Sequence, residues 1–279
     1  MRKQEWLIRP QEPIFNLKLK ELLQFRYLLS QLVYRDLIAS YKQTILGPAW
    51  LIVHPLVTTF VFTLVFGRIV KIPTEGLPQP LFYLSGIICW NYFSECLIRT
   101  STVFKDNANI FGKVYFPRII VPISLSLSMF FRLLIHISLL FIVMLTYQDQ
   151  QYSFSFFRMI TILPVIIILM ALMGVGLGLI VACLTIKYKD LNFVVVFSLQ
   201  LTMYTTTVIF PLSSAPKNIV PLIQANPMTT SIEAFRYAVF NTGNFGFVSS
   251  TYSIICGILL FSIGFIAFNR MEKTFVDSI

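Results

Sequence analysis

Two charged residues lie four positions apart inside an otherwise apolar stretch of this sequence. Glu95 precedes Arg99 by one helical turn, so on a helix the acid and the base share one face and can form an ion pair. A third charge, Arg132, lies in another apolar stretch without a local partner. It could face a polar cavity, reach a phosphate group or bind a backbone carbonyl, because a charge at membrane depth needs such a partner.

Motifs for catalysis are scarce in the rest of the chain. Both histidines, His54 and His136, lie in apolar stretches, as do all four cysteines. No H-E-x-x-H motif occurs, and Gly112-Lys113 is not a phosphate-binding loop because Asn107 replaces its first glycine. The sequence therefore predicts no catalytic residue, no metal site and no cofactor held by this chain. Active transport would need an ion gradient or a separate ATPase.

Long apolar runs must position these groups. Hydrophobic residues make up 56% of the 279, charged residues only 12%, and the mean hydropathy is +0.76. A bilayer core takes about 20 apolar residues per helix. The sequence predicts an all-α integral membrane protein with six transmembrane helices, near residues 48–70, 81–103, 119–147, 157–184, 193–212 and 249–269.

The basic residues flank these spans unevenly. They are concentrated before the first span, between the second and third, between the fourth and fifth, and after the sixth. The positive-inside rule therefore predicts that both termini are cytoplasmic. Since the basic residues form no soluble face, nucleic acid is not an expected partner despite the net charge of +10. We expect a cytoplasmic N-terminal segment, 1–47, without a cleavable signal peptide, and a membrane domain, 48–279.

Residues 17–42 have a helical period, with apolar positions mainly on one side and basic positions on the other. Such a basic amphipathic helix before a span is typical of a helix that lies at the inner membrane surface. Packing on a partner domain is the alternative.

The stretch 213–248 is too long for a tight turn and too polar to span. Asn226-Pro227 could cap and begin a short helix that carries Glu233 and Arg236. We expect two short re-entrant helices in the outer half of the membrane, which must be buried in protein or line water. A plain extracellular loop is the alternative.

Aromatic residues cluster in the first two spans. A pyranose ring can pack its C–H face on an aromatic plate, so these residues are candidates for lining a sugar path, although Trp and Tyr also anchor spans at the interface. The candidate channel-lining residues are Trp50, Phe60, Phe62, Phe66, Trp90, Tyr92 and Phe93.

Three segments resemble the permease subunits of type-2 ABC exporters for polysaccharides, a group that exports O-antigen, capsule and teichoic acid. They are YRDLIASYKQTILGPAW at 34–50, NIFGKVYFPR at 109–118, and Asn226-Pro227 followed by IEAFR at 232–236. The resemblance covers nearly the whole chain, in order and with matching topology.

The resemblance implies a homodimer in the bacterial inner membrane, with two ABC ATPase subunits that bind ATP and Mg²⁺. Its substrate would be a glycan on undecaprenyl pyrophosphate. Residues 104–116 would match the coupling helix that sits in a groove of the ATPase and is moved as a lever by ATP binding and hydrolysis. Residues 213–248 would match an outer gate that includes Asn226, Pro227, Glu233 and Arg236. The implied coupling residues are Asn109, Ile110, Phe111, Gly112, Lys113 and Tyr115.

The same resemblance places the lipid head group beside Arg35, Tyr41, Lys42 and Gln43. Cationic side chains at the inner leaflet suit a pyrophosphate, although general attraction to anionic lipid would select the same residues. Two other functions remain open: a type-2 ABC exporter of a small molecule or lipid, and a membrane enzyme acting on polyprenyl lipids. Scattered acidic residues argue against the enzyme.

Overall fold

The computed structural model describes residues 24–39, 42, 44–107, 116–147, 156–188, 190–243 and 245–276, with side chains as far as Met271. All regular structure in these residues is helical. The α-helices are α1 Arg26–Ala39, α2 Trp50–Phe62, α3 Gln79–Ser101, α4 Val103–Asp106, α5 Ile120–Leu145, α6 Phe156–Thr185, α7 Leu191–Tyr204, α8 Val220–Ala225, α9 Pro227–Phe240 and α10 Phe247–Val276.

Five of the six predicted spans are confirmed as helices long and apolar enough to cross a membrane. They are Gly47–Ile69, Gln79–Ser101, Ile120–Leu145, Phe156–Thr185 and Phe247–Met271. The first combines a short 3₁₀ turn that contains Pro48, the helix α2 and a wider π-helical end. Proline is tolerated in that first turn because its missing N–H would have no helical partner there.

The predicted fifth span is only partly present. Helix α7 has 14 residues, about 21 Å at 1.5 Å per residue, whereas a hydrocarbon core is about 30 Å thick. After Tyr204 the chain turns, and Thr206, Thr207 and Val208 are fully buried. Irregular backbone of this kind is compatible with membrane depth only when protein covers it, as it does here.

Helix α6 lies at the centre of the fold, between α3 and α10. A Cβ added at Gly174 or Gly178 would lie 2.8 Å from a backbone carbonyl of α3, and one at Gly176 would lie 2.6 Å from the Phe261 backbone nitrogen of α10. The three glycines thus allow α6 to approach a helix on each side. The G-x-x-x-G spacing of Gly174 and Gly178 in the sequence predicts such close helix packing, and the structure confirms it.

Helix α1 packs against α5 of the same chain. Leu32 and Val33 are buried, but Asp36 is buried with them, and Tyr34 and Ile38 are exposed. In the described residues, the buried side of α1 is the predicted apolar side, and Gln31 and Arg35 on the other side are exposed. The position of this helix at the membrane surface stays a prediction. Residues 17–23 lie outside the described part.

The stretch 213–248 contains the two short helices α8 and α9. The Asn226 side chain accepts a hydrogen bond of 3.0 Å from the Met228 backbone N–H, and Pro227 occupies the first turn of α9. The predicted cap is confirmed. Helix α9 is buried along most of its length, which a plain loop would not be. Its re-entry into the membrane stays a prediction.

Candidate transport site

The predicted outer gate is held to the span α3 by one buried arginine. Arg236 is only 1% exposed. Its Nη1 lies 3.3 Å from Glu233 Oε1, its Nη2 donates to the Phe82 carbonyl at 3.2 Å, and its Nε donates to Ser85 Oγ at 3.3 Å. The guanidinium also lies 3.6 Å from the centroid of the Phe82 ring. Each donor edge and one face of the guanidinium therefore has a partner.

Burial lowers the pKa of Arg236, and the Glu233 carboxylate acts in the opposite direction. An arginine starts from a pKa so high that it keeps its charge in a protein. The pair is consequently a buried ion pair, in which each charge depends on the other. The sequence placed both residues in the gate, and the structure adds the contacts that join the gate to α3.

Small residues make room for this pair. A Cβ at Gly86 would lie 2.9 Å from Arg236 Nη2 and 3.0 Å from the Val208 Cα. Gly243 has a φ of +103°, and a Cβ there would lie 2.9 Å from the Glu233 carbonyl. The gate, α3 and the turn after α7 are therefore packed without spare space around the two charges.

Four of the seven aromatic residues predicted to line a channel are buried inside this chain: Phe62, Trp90, Tyr92 and Phe93. The Phe62 ring packs on Phe66 and Tyr83, and the Trp90 ring packs on Phe93 with centroids 5.5 Å apart. The four residues cannot contact a sugar in this conformation, because the core covers them. The sequence shows that these aromatic residues are clustered, but it does not show which face of each helix is buried. The other three predicted residues are not covered in this way: Trp50 and Phe60 are exposed, and Phe66 is partly buried.

On the side predicted to be cytoplasmic, α1 is joined to the start of the predicted coupling element. Arg35 Nη2 donates to Asn107 Oδ1 at 2.9 Å, and Asn107 Nδ2 donates to the Val103 carbonyl at 3.1 Å. Asn107 is 3% exposed. Arg35, predicted as a head-group ligand, thus already has a protein partner, while Lys42 is exposed.

Most of the predicted coupling and head-group residues fall outside the described part of the chain. These are Asn109, Ile110, Phe111, Gly112, Lys113 and Tyr115, together with Tyr41 and Gln43. Only the beginning of the coupling element is described, as the four-residue helix α4, Val103–Asp106.

The ion pair predicted between Glu95 and Arg99 is replaced by a pair between helices. Glu95 Oε2 lies 3.7 Å from Arg132 Nη1 of α5. Helical spacing correctly placed Glu95 on a face with Arg99, but the packing of α3 on α5 brought a second cation closer. Arg132 therefore has an acidic partner that the sequence did not reveal.

One contact of His136 was missed from the sequence. Pro55 lies inside α2 and has no N–H, so the carbonyl of Leu51, four residues earlier, loses its helical donor. His136 Nε2 of α5 lies 3.0 Å from that carbonyl and must be protonated to donate to it. The signal was available in part: an internal proline implies a free carbonyl four positions earlier.

No group of three or more His, Cys, Asp or Glu side chains that could hold a metal ion occurs among the described residues. The described residues instead form apolar spans, a buried charge pair in the predicted gate and a hydrogen bond at the start of the predicted coupling element.

Comparison with known proteins identifies the family. The model of the ABC-2 type transporter family matches residues 27–240. Among individual proteins, the chain is 25% identical over 264 residues to the O-antigen export system permease protein RfbA of Klebsiella pneumoniae, covering 94% of this chain and 99% of the relative.

Two other relatives are similar over most of their length. RfbA of Myxococcus xanthus is 25% identical over 79% of this chain and 83% of its own. The polysialic acid transport protein KpsM of Escherichia coli is 23% identical over 88% of this chain and 94% of its own length. Since the family model covers more than half of the 279 residues, the chain belongs to the ABC-2 type transporter membrane family.

Proposed function

We propose that this chain is the permease subunit of an ATP-driven exporter, which carries an O-antigen-like polysaccharide across the bacterial inner membrane on undecaprenyl pyrophosphate. Two copies of the chain form the pathway, and two ABC ATPase subunits bind ATP and Mg²⁺ on the cytoplasmic side. The observation that carries the proposal is the similarity to an O-antigen export permease along 94% of this chain and 99% of the relative.

The residues suggest how ATP hydrolysis reaches the membrane helices. The element that begins at α4 continues directly from the end of α3. A push on it therefore acts on α3, and through the hydrogen bond from Arg35 to Asn107 it also acts on α1. Because α1 packs on α5, a single movement of the coupling element would shift two spans.

At the opposite end of α3, the buried Arg236 holds α9 to the same span. The gate then follows α3 instead of swinging freely, and the passage opens between copies of the chain. A continuous passage suits a long polymer, because no closed pocket could enclose many sugars at once. The head group would enter from the inner leaflet near Arg35 and Lys42.

The proposal is tested by purifying the chain with the ABC ATPase of its export system and measuring ATP hydrolysis in lipid nanodiscs. We expect a complex with two copies of each subunit, whose hydrolysis rate responds to a polyprenyl-linked glycan. A stable complex that ignores glycans would favour export of a small molecule or lipid. Failure to bind any ABC ATPase would refute the proposal.

A second measurement tests the lever. Phe111→Asp is expected to uncouple ATP hydrolysis from glycan export, while Phe156→Asp, on the side predicted to be extracellular, serves as the matched control. Unchanged export by Phe111→Asp in membrane vesicles would disprove the coupling role of 104–116.

The role of Arg35 is separated from simple lipid attraction with Asn107→Ala, which keeps the cation and removes its acceptor. If the hydrogen bond transmits movement, Asn107→Ala and Arg35→Gln reduce export similarly, and the double variant is no worse than either. If Arg35 instead binds the head group, only its own replacement reduces export.

A further inference from the structure

From Leu81 onward, the described residues cover the span α3 on all sides except for one stripe. Residues 81–90 are buried, and from there to the end of the helix only Asn91, Ser94, Glu95, Ile98 and Arg99 are partly exposed. These positions follow the i, i+3, i+4, i+7 and i+8 spacing of a single helix face. The opening is therefore a continuous stripe along the last part of α3, not a scatter of loosely packed residues.

The stripe carries charged and amide side chains, whereas the exposed faces of α5, α6 and α10 are mainly apolar. Four of its five residues carry polar or charged side chains. Most exposed residues of α5, α6 and α10 are apolar, such as Leu134, Ile168 and Ile258. The exposed hydroxyls of Ser138, Thr161 and Thr251 donate to carbonyls of their own helices. Apolar faces suit contact with lipid, but polar side chains at membrane depth turn toward protein or water. The α3 stripe is thus not a lipid-facing surface.

Its depth makes the cost of lipid contact large. Glu95 lies six residues before Ser101, the last residue of α3, which is about 9 Å along the helix. With the end of α3 at the membrane surface, this distance places the carboxylate inside the half-core, which is about 15 Å thick. A charge exposed to lipid at such a depth costs several kcal/mol, on the order of 2–3 or more.

The ion pair with Arg132 does not close the opening. The Glu95 side chain remains 40% exposed although that of Arg132 is only 8% exposed. His54 of α2 is exposed as well and lies within electrostatic range of Glu95, as does Arg99. Asp36 of α1, which is buried, lies in the same range. Among the described residues, these groups leave the Glu95 side chain partly exposed.

We propose that the stripe formed by Asn91, Ser94, Glu95 and Arg99 faces a water-filled passage, where its polar groups offer hydrogen bonds to the hydroxyl groups of the glycan. This inference rests on the proposed export function and identifies the surface that the substrate contacts. It also explains why four of the predicted aromatic residues can be buried without closing the passage, since α3 turns a polar face toward it.

The test is the reaction of single cysteines with a charged, membrane-impermeant methanethiosulfonate reagent in the complete transporter. Asn91→Cys and Ser94→Cys probe the stripe. The matched control is Leu127→Cys, because Leu127 is exposed on α5 and lies seven residues from a helix end, as Ser94 does on α3. Native cysteines are replaced by alanine, or retained and distinguished by peptide mass spectrometry.

We expect both stripe variants to react faster than the control, on the order of tenfold or more, because the charged reagent and the reactive thiolate both need water. Saturating glycan should slow the reaction. If the stripe reacts no faster than Leu127→Cys, or if Ser94→Cys cross-links to a second copy without being labelled, the stripe is dry and the proposal is overturned.

ATP-dependent glycan export by the same complex is measured in parallel. If labelling is fast but the unmodified complex exports no glycan, the proposed function fails while the hydrated surface stands. If export is intact and labelling is slow, the function stands and the stripe assignment fails.

Discussion

Replacing Arg236 is expected to destabilise the protein more than any other single change at the gate. In Arg236→Met the Glu233 carboxylate, whose side chain is 2% exposed, would stay buried without its cation. Removing one partner of a buried ion pair costs about 3–5 kcal/mol. The lost hydrogen bond to the Phe82 carbonyl adds little, because Ser85 Oγ also donates to that carbonyl at 2.9 Å.

The pair itself is tested by the double variant Glu233→Gln/Arg236→Met. Because neither charge then remains, we expect it to be more stable than Arg236→Met alone, with a coupling free energy of about 2 kcal/mol. The free energy of unfolding is measured in mixed micelles by titration with a denaturing detergent, followed by tryptophan fluorescence.

Arg158→Met is the matched control for this experiment. Arg158 also lies over an aromatic ring, 5.3 Å from the Tyr237 centroid, and donates to Asn241, but it is only partly buried. Its replacement should cost about 1 kcal/mol or less. If the free energy of unfolding of Arg236→Met is within about 0.5 kcal/mol of that of the unchanged protein, as for an ordinary surface substitution, the assignment of a buried, mutually dependent pair is refuted.

The same unfolding titration checks three other expectations. His136→Leu should cost about 1–3 kcal/mol because the Leu51 carbonyl loses its donor, and adding Pro55→Ala, which restores a helical N–H, should recover part of that loss; no recovery would contradict the hydrogen-bond explanation. Gly176→Ala should cost about 1–3 kcal/mol because its new methyl group meets the α10 backbone, and unchanged stability would show that the two helices can separate freely. Glu95→Gln should cost only about 1 kcal/mol or less, since its ion pair is long and half-open; a loss as large as that of a buried pair would mean that the stripe is covered.

Hydropathy located most of the spans to within a few residues. The predicted 48–70 is observed as Gly47–Ile69 and the predicted 157–184 as Phe156–Thr185. This works because transfer of a helix into a bilayer depends on the sum of its own side chains. Summed hydropathy failed for 193–212, because it does not indicate that the consecutive threonines after Tyr204 form a turn. Buried contacts in the folded protein stabilise that turn.

The partners of the charged residues were less accessible to sequence reasoning. The sequence placed Glu233 and Arg236 on one short helix, and the structure adds that they pair, three positions apart on α9. Helical spacing suggested Arg99 for Glu95, yet the observed partner is Arg132. Contacts within one helix follow from periodicity, whereas contacts between helices depend on how each helix is rotated, which no local pattern encodes.

By itself, the sequence determined the membrane class, the approximate spans, the cap that begins α9 and the close approach allowed by the glycines of α6. These follow from local properties: hydropathy, backbone freedom and the hydrogen-bonding groups of neighbouring residues. Only the tertiary structure decided which side of each helix is buried. It enclosed Trp90 and Phe93 in the core and left Asn91, Ser94 and Glu95 on an open stripe. The physical reason is that burial depends on the packing of the whole bundle: rotating α3 by one residue would turn Trp90 and Phe93 to the open side and Asn91 and Glu95 away from it.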